Sequence, residues 1–332
     1  MKKIWRDVGR LIATFCCVLY VTGGTSHAAT DYPDRPVTIV VGYPAGGSVD
    51  LNGRVVAETL AKKIGANVVV ENLGGAGGTI GAQKVVRAKP DGYTLLVGSL
   101  NEIIIAGIVN PAVKYDGITD LEPLGLIGDQ PLLLAASKKR QIRNAADLVQ
   151  IARSGKSADY GFGSSGVGTS LHMAGEMINV ESHAKFLHVP YRGVAPLVTD
   201  LTSGQLPLGV FALSSALPQI RSGQIAAIGV TSAKRSTFAS DIPALAETPE
   251  FKNIDINVWF GLFGPKGMPP EVISKLQESM KQVLSDPAFQ EKYKATGNVV
   301  MSKQPDIKQF LQAEHNKFLQ LAKAANIARG KP

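Results

Sequence analysis

Apolar and polar positions change their spacing repeatedly along this chain, from unbroken β-branched runs to helical repeats. Unbroken runs of Val, Ile and Leu predict buried strands, and apolar residues at helical spacing predict amphipathic helices. In the first half the pattern predicts strands at 37–43 and 67–71, a helix ending near 63, a helix at 79–88 and a third strand in "KPDGYTLLVGS". In the second half it predicts strands at 132–136, 160–163 and 186–189 and helices at 145–153, from 169 and at 195–202. Each half is therefore predicted to be its own βαβ system in an α/β protein.

The N-terminus has the composition of an export signal. Four basic residues in the first ten positions precede an apolar run at residues 11–21, and Ser26-His27-Ala28 places small residues where a signal peptidase reads. The run is shorter than the ~20 residues that span a bilayer. Phe15, before Cys16, does not fit the small residue that a lipid-anchor signal requires. We predict that residues 1–28 are a cleaved signal peptide and that the mature protein is soluble in the periplasm.

Export limits the chemistry that the mature chain can use. Both cysteines, Cys16 and Cys17, are removed with the signal, so we predict no disulfide, no cysteine nucleophile and no thiolate metal site. Four of the 35 basic residues and one of the 27 acidic residues are removed as well, which leaves a net charge of about +5. That charge suits small anionic ligands and is too weak and scattered for nucleic acid. A mature length of about 304 residues predicts two domains.

Two glycine-rich loops could carry chemistry, because each leads from a predicted strand straight into a helix. They are "GYPAGGSVD" in the first half and "GFGSSGVGTS" in the second. Free N–H groups at a helix N-terminus favour an anion, and phosphate and carboxylate both fit. In open parallel sheets ligands bind beyond the carboxyl ends of the strands, so the two loops are predicted to meet across one cleft. Each loop alone could also be only a tight connection. A third cluster, "ENLGGAGGTIG", is predicted to be structural and to support the first loop.

The second loop contains a G-x-G-x-x-G pattern at Gly161, Gly163 and Gly166. This pattern is found in dinucleotide-binding enzymes, but an exported protein rarely meets such a cofactor, so we predict no cofactor and an anion-binding loop. The G-x-S-x-G elbow of serine hydrolases is not present, because Val167 stands at the last glycine position. A secreted serine hydrolase is therefore the less supported alternative, and we predict that the protein is not an enzyme.

The histidines after the predicted signal peptide do not have the spacing of metal ligands, so we predict no metal site; they are His172, His183, His188 and His315. His172 lies one turn into the helix after "SSGVGT". It could orient that loop, and a hydrogen-bonded structural histidine is the preferred interpretation.

Several long blocks, in order along the chain, resemble the signatures of one family. They are "YPDRPVTIVVGYPAGGSVD", "VVVENLGGAGGTIGAQKVVRAKPDGYTLLVGS", "YGFGSSGVGTSLHMAGE", "HVPYRGVAPLVTDLTSGQ", "IGVTSAKRS" and "VWFGLFGPKGMP". They are similar to the periplasmic substrate-binding proteins of tripartite tricarboxylate transporters, also called Bug receptors. The resemblance covers essentially the whole mature chain.

The resemblance implies a type II periplasmic-binding-protein fold, with two α/β domains and the ligand in the cleft between them. It implies that residues 29–126 and 231–332 form the first domain and 127–230 the second, with crossings near 124–130 and 225–231. The implied function is to bind a small carboxylate and to deliver it to the integral-membrane permease subunits of a tripartite tricarboxylate transporter. A ligand sensor or scaffold that acts on a membrane partner, such as a sensor kinase ectodomain, stays open as an alternative. We expect a monomer.

The resemblance also implies the site residues, since family members hold a carboxylate between the two loops. By position these are Tyr43, Ala45, Gly46, Gly47 and Asp50 in the first loop and Ser164, Ser165, Gly166 and Thr169 in the second. The set is completed by Ser99 and Asn101 after the third strand and by Phe211 and Ala212. The hydroxyl and backbone N–H groups among them are hydrogen-bond donors suited to a carboxylate. Asp50 would repel an anion, so we interpret it as a first-turn acid that stabilises the helix and neighbours the pocket.

This chain departs from the family pattern at two places. Gly42 and Ala45 stand where many relatives have proline, which predicts a softer first loop. Phe211, Ala212 and Leu213 stand where relatives often carry an acid. An ammonium group needs a carboxylate partner when it is buried, so we predict a mono- or dicarboxylate with an aliphatic or aromatic body rather than an amino acid. Asp50 or Glu102 could replace the missing acid from the first domain.

Overall fold

A computed structural model of the chain describes residues 32–327. The predicted signal peptide lies outside the described residues. No helix within the described range has the length and the apolar composition needed to cross a membrane.

The described residues contain ten strands. Their bounds are β1 Val37–Val41, β2 Val68–Asn72, β3 Thr94–Ser99, β4 Leu121–Ser137, β5 Gly161–Ser164, β6 Leu187–Pro190, β7 Leu208–Ala212, β8 Ile225–Val230, β9 Asn257–Pro265 and β10 Val299–Val300.

Ten α-helices are described with them. Their bounds are α1 Ser48–Ile64, α2 Thr79–Val86, α3 Ala106–Val109, α4 Ala145–Arg153, α5 Ser170–Ser182, α6 Val194–Ser203, α7 Leu213–Arg221, α8 Pro270–Ser285, α9 Pro287–Ala295 and α10 Ile307–Ala324. One turn of π-helix, Asn101–Ile105, runs directly into α3. Four single 3₁₀ turns are Ala76–Gly78, Ser157–Asp159, Leu245–Glu247 and Pro249–Phe251.

The strands pair in the order β2-β1-β3-β9-β4-β7-β5-β6, with β8 and β10 also on β4. The long strand β4 belongs to both parts of this arrangement. Its residues 121–131 pair with β9, and its residues 132–136 pair with β7. We call the part built on β1, β2, β3, β9 and β10 the first lobe, and the part built on β5, β6, β7 and β8 the second lobe. The fold is the two-domain type II architecture that the sequence predicted.

Parallel pairs form the outer part of each lobe, and antiparallel pairs form around β4. Strand β1 pairs parallel with both β2 and β3, and β5 pairs parallel with both β6 and β7. The carboxyl ends of β1 and β5 lead into the two glycine-rich loops, which is the place where α/β sheets bind ligands. The core on both sides of the sheet is apolar, with Ile39, Leu95, Leu134, Val210 and Phe260 almost fully buried.

Most predicted elements are present with ends that differ by one or two residues. The helix at 145–153 has the predicted bounds. The first strand ends at Val41 instead of residue 43, and Gly42, the next residue, packs so closely on Gly78 that a Cβ on Gly42 would be 2.5 Å from the Gly78 carbonyl oxygen. The strand predicted at 132–136 is the second half of the longer β4. The domain boundaries at 126/127 and 230/231 stay a prediction.

Candidate functional site

A cavity of about 330 Å³ lies between the two glycine-rich loops, above the strands that link the lobes. Small-molecule sites commonly have volumes of about 300–1,000 Å³. Of the predicted site residues, those that line the cavity are Tyr43, Ala45, Gly47, Ser99, Asn101, Ser165 and Ala212. The other lining residues are Pro44, Ser48, Val49, Gln130, Leu132, Ser170, Leu171, Val258 and Phe260.

The loop after β1 forms one wall and contains its own negative charge. Asp50 lies in the first turn of α1 and is 1% exposed. Its Oδ2 accepts hydrogen bonds from the Gly46 N–H at 2.8 Å and from Arg54 Nε at 3.0 Å, and its Oδ1 accepts one from Asn72 Nδ2 at 2.8 Å. Burial raises the pKa of Asp50, but the hydrogen bonds from Arg54, Gly46 and Asn72 outweigh it and hold the pKa below its ordinary value. Asp50 and Gly46 do not line the cavity.

The third glycine cluster lies behind this loop. A Cβ on Gly81 would be 2.7 Å from the Gly42 Cα, and Tyr43 Oη lies 2.9 Å from the Gly77 carbonyl oxygen, one of its possible acceptors. Gly78 has a φ of +93° and also packs against the Tyr43 ring. No residue of the cluster is among those that line the cavity in the described chain. The cluster therefore supports the position of Tyr43.

A buried carboxylate, Glu102, lies behind the polar residues of the first lobe. Its Oε2 accepts hydrogen bonds from Ser99 Oγ at 2.6 Å and from Tyr43 Oη at 2.8 Å, and its Oε1 accepts one from the Ser99 N–H at 2.7 Å. Burial raises the pKa of Glu102 to about 7, although the hydrogen bonds from Ser99 and Tyr43 act in the opposite direction. Glu102 has no exposed surface and does not line the cavity. Neither of the acids that could have replaced the missing one therefore faces the ligand space.

The turn of π-helix brings the first lobe into contact with the second. Asn101 Oδ1 accepts a hydrogen bond from the Ser170 N–H, at the N-terminus of α5, at 2.8 Å. Asn101 Nδ2 donates to Tyr43 Oη at 3.3 Å. Farther along, Val109 packs so closely on Gly168 that a Cβ on that glycine would be 2.5 Å from Val109 Cγ2. Single π-helical turns inside helices are frequent at functional sites.

The loop after β5 forms the opposite wall and is held by neutral groups. Thr169 caps α5, because its Oγ1 accepts from the His172 N–H at 3.3 Å and donates to the Gly166 carbonyl at 2.9 Å. Ser164 Oγ accepts from the Gly166 N–H at 3.2 Å. Ser164, Gly166 and Thr169 thus shape the loop without lining the cavity, whereas Ser165 lines it.

Two stacked histidines, neither of which lines the cavity, make hydrogen bonds that hold this loop in position. His172 Nδ1 accepts from the Gly168 N–H at 3.1 Å, so His172 orients the loop. The His172 and His188 rings stack with their centroids 3.8 Å apart, and His188 Nε2 lies 2.7 Å from Ser164 Oγ. Burial and the neighbouring His172 lower the pKa of His188 to about 4, against the opposing charge of Glu176. Within the described residues no cluster of three or more potential metal ligands is present.

Sequence reasoning missed the contact between Ser164 and His188. The one available signal was the order of the predicted strands at 160–163 and 186–189, since the strands of a βαβ unit commonly pair in parallel, as β5 and β6 do. Phe211 and Leu213 are buried in the core, at 1% exposure each, while Ala212 between them lines the cavity. Side chains alternate between the faces of a strand, so three neighbours could not all form this wall. Gln130, Leu132 and Val258 were also missed, since they lie where the lobes join.

The cavity can bind an anion through uncharged hydrogen-bond donors. Its polar residues are Tyr43, Ser48, Ser99, Asn101, Gln130, Ser165 and Ser170, and none of the described lining residues is charged. In the second loop the N–H groups of Ser165 and Leu171 donate to no protein acceptor within the described residues. These N–H groups belong to the loop and first turn that precede a full helix, where an anion is favoured.

A profile of the tripartite tricarboxylate transporter family receptors, TctC, matches residues 53–327. The chain belongs to this family. Among its relatives is the protein BugT of Bordetella pertussis, which is 32% identical over 304 residues and is matched over 90% of this chain and 92% of its own length.

Solved structures of the family have the same fold. The periplasmic binding protein BugD is 33% identical, with a TM-score of 0.77 over 90% of this chain and all of its own. Rpa4515 of R. palustris, solved with adipate, is 30% identical, with a TM-score of 0.79 over 90% of this chain and 99% of its own. MatC of Rhodopseudomonas palustris, solved with malate, is 26% identical, with a TM-score of 0.75 over 87% of this chain and 99% of its own. Family and fold are those of solute-binding receptors.

Proposed function

We propose that this protein is a periplasmic receptor that binds a small carboxylate in the cleft and delivers it to the permease subunits of a tripartite tricarboxylate transporter. The observation that carries the proposal is the cavity between the two lobes, which combines an uncharged set of hydrogen-bond donors with an apolar remainder. Two relatives of the same fold were solved with dicarboxylates, adipate and malate. Charge-assisted hydrogen bonds contribute about 1.5–3 kcal/mol each, so a few are enough to hold a small acid.

The ligand class follows from the charges around the cavity. An ammonium group in the cavity would need a carboxylate, and both nearby acids are directed elsewhere: Asp50 to Gly46 and Arg54, and Glu102 to Ser99 and Tyr43. The body of the ligand would contact apolar side chains, among them Leu132, Ala212 and Val258. The receptor is therefore proposed to bind a mono- or dicarboxylate with an aliphatic or aromatic body.

The site residues proposed to touch the ligand are the predicted residues that line the cavity, together with Gln130, Ser170 and Leu171. Ligand bound to both walls favours the closed arrangement over an open one, so binding shifts the population toward closure. The closed monomer is the form that a permease would recognise. Residues 29–126 and 231–332 on one side and 127–230 on the other are proposed as the two moving bodies.

The contact between Ser164 and His188 raises the question of hydrolysis. Ser164 is fully buried and also bonds to the loop backbone, and His188 has a pKa too low for an efficient base near neutral pH. The carboxylate of Glu176 lies 3.4 Å from His172 Nε2 rather than beside His188. We therefore propose binding without turnover.

One experiment tests the ligand class and the absence of turnover together. The purified mature protein is screened by thermal shift against adipate, malate, benzoate and citrate beside aspartate and glutamate, and each stabilising acid is recovered after prolonged incubation. We expect stabilisation by a plain carboxylate and quantitative recovery of the acid. Conversion of the acid would contradict a receptor function, and stabilisation by the two amino acids alone would contradict the ligand class.

A further inference from the structure

The two hydroxyl groups of the first wall have their hydrogens directed away from the cavity. Ser99 Oγ donates to Glu102 Oε2 at 2.6 Å. Tyr43 Oη has three possible acceptors, Glu102 Oε2 at 2.8 Å, the Gly77 carbonyl at 2.9 Å and Ser99 Oγ at 3.5 Å. Each hydroxyl has one hydrogen, and an ionised carboxylate can only accept. With Glu102 ionised, both hydroxyl groups therefore offer only oxygen lone pairs to a ligand.

Such a wall is unfavourable for an anion. A carboxylate that approaches Tyr43 and Ser99 would meet two acceptors, with the negative charge of Glu102 directly behind them. Two like charges that share a site disfavour the ionised state of one of them. The free energy of binding would then include this repulsion and two missing hydrogen bonds.

A proton on Glu102 changes the direction of one of these bonds. The proton on Oε2 is donated to the oxygen of Ser99 or Tyr43, and the hydroxyl that receives it can turn its own hydrogen toward the cavity. The Asn101 amide cannot reverse its hydrogen bonds in this way, because its Oδ1 accepts from the Ser170 N–H and its Nδ2 donates to Tyr43 Oη. Glu102 is therefore the group that decides whether this wall accepts or donates.

The surroundings of Glu102 leave it able to take up a proton near neutral pH. Burial raises its pKa to about 7. Tyr115 Oη donates to the Glu102 backbone carbonyl at 2.7 Å and not to the carboxylate, and a hydrogen bond from the Glu102 backbone acts with those from Ser99 and Tyr43 to lower the pKa. Among the described residues no Lys, Arg or His forms an ion pair with Glu102.

The charged groups on the neighbouring helices have other partners. On α2, Lys84 pairs with Glu71. On α10, Glu314 accepts from Trp259 Nε1 at 2.9 Å and pairs with Lys317. His315, also on α10, makes no hydrogen bond to Glu102 within the described range. The state of Glu102 is thus set by its burial, by Tyr43 and Ser99, and by what enters the cavity.

We propose that the receptor takes up one proton from solvent on Glu102 as it binds a carboxylate, so that the wall of Tyr43 and Ser99 donates a hydrogen bond to the anion. Glu102 is a positioning residue that gives this wall its specificity for anions without touching them. The inference rests on the proposed function, because it requires an anionic ligand in this cavity. The inference applies to ligands whose carboxyl groups are fully ionised above pH 6.5.

Calorimetry of the wild-type protein tests proton uptake directly. Binding of adipate, malate, benzoate or succinate is measured at pH 7.5 in two buffers of different ionisation enthalpy, which gives the number of protons taken up. We expect between half and one proton for each ligand bound. We also expect the Kd to rise about 25-fold between pH 6.5 and 8.5, the change for one group with a free pKa of about 7 that binds the anion only when protonated.

Two variants test whether Glu102, and not another acid of the protein, causes the pH dependence of the Kd. Glu102→Gln keeps the shape, is permanently neutral and has an N–H to donate, so its Kd should change less than about threefold over the same pH range, with no proton uptake. Asp129→Asn removes another acid, half-buried, whose pKa burial raises and which accepts a hydrogen bond from Asn257 instead of from a cavity residue. This control should keep the wild-type pH dependence.

The outcomes distinguish the inference from the proposed function. Anion binding with a pH-independent Kd and no proton uptake would overturn the inference and leave the receptor function intact. An unchanged pH slope in Glu102→Gln would overturn it as well. If none of the acids binds between pH 6 and 9, the proposed function is contradicted and the inference is contradicted with it. The calorimetry of the wild-type protein tests the inference by itself, even if the Glu102 variant does not fold.

Discussion

The loop after β1 and the loop after β5 both lead from a buried strand into a helix, but different groups satisfy their backbone N–H groups. In the first loop the Gly46 N–H donates to the carboxylate of Asp50 at 2.8 Å. In the second loop the Gly166 N–H donates to the Ser164 hydroxyl at 3.2 Å and the Gly168 N–H to the His172 ring at 3.1 Å. The first loop contains an anion of its own, and the second contains none.

This difference teaches that a glycine-rich helix N-terminus is not by itself a measure of anion affinity. The positive end of a helix dipole attracts a negative charge, and Asp50 already supplies one at α1. At α5 the cap is the neutral Thr169. The second loop therefore keeps its attraction for an external anion, and we expect it to contribute more to carboxylate binding than the first. The first loop serves mainly to position Tyr43, which together with Ser99 faces the carboxylate from the opposite wall, and its other lining residues contact the body of the ligand.

The largest effect is expected from a change that prevents the two walls from meeting. Gly168→Ala places a Cβ 2.5 Å from Val109 Cγ2 in the structure, where the two lobes are in contact at this point. Overpacking of this kind costs about 1–3 kcal/mol, so the Kd for a carboxylate should rise about 10- to 100-fold. Calorimetric titration measures it, and small-angle scattering should show that the variant contracts less than the wild type on ligand addition.

Two further variants separate the clash from backbone strain. Gly155 has the same φ as Gly168, +73°, and a Cβ there would meet nothing within 4 Å. Gly155→Ala should therefore lose a similar amount of stability and bind normally. The double variant Gly168→Ala with Val109→Ala should regain most of the affinity. Normal binding by Gly168→Ala alone would show that the closed contact between Val109 and Gly168 is not needed for the ligand.

The next effect compares equivalent serines of the two loops, since Ser165 and Ser48 both line the cavity. A hydrogen bond from a hydroxyl to a carboxylate contributes about 1.5–3 kcal/mol, so Ser165→Ala should weaken binding about tenfold or more. Ser48→Ala should weaken it less than about threefold, because the carboxylate is expected between the second loop and the wall of Tyr43 and Ser99, and not at Ser48. The ratio of the two Kd values is the measurement. Equal losses would mean that both loops bind the anion, and the reverse order would assign it to the first.

The sequence predicted the fold closely because its signals are local and repeated. Runs such as 37–41 and 94–99 are too apolar for a surface strand, and the glycines at each helix start mark the ends of the strands. The family resemblance supplied what local patterns cannot, namely the two-domain architecture with a ligand cleft between the domains. The full length of β4 was not predicted, because Pro123, Gly125 and Gly128 interrupt its apolar pattern and coincide with irregularities in its pairing with β9.

The site was predicted less completely, since it depends on contacts between residues far apart in the chain. Position in the loop indicated Ser165 and Gly47, but it could not show that Ser164 and Thr169 are used by the loop itself. The bonds of Glu102 to Tyr43 and of Asn101 to Ser170 join residues 59 and 69 positions apart. The spacing of hydrophobic residues along the sequence carries no information about such long-range hydrogen bonds.

The smallest effect on ligand affinity is expected from Asp50→Asn, which removes the internal anion of the first loop. Its amide cannot accept from Gly46, Arg54 and Asn72 together, so the free energy of unfolding at pH 7 should fall by about 1–2 kcal/mol. The folded state lowers the pKa of Asp50, so the stability that it contributes is present above the ordinary pKa of about 3.9 and is lost as the pH falls through the folded value. The gap between wild type and variant in urea unfolding should therefore close below about pH 4. Carboxylate affinity at pH 7 should change by less than about threefold, because Asp50 does not line the cavity. A tenfold loss of affinity would instead make Asp50 part of the binding site, and the two loops would then be equivalent.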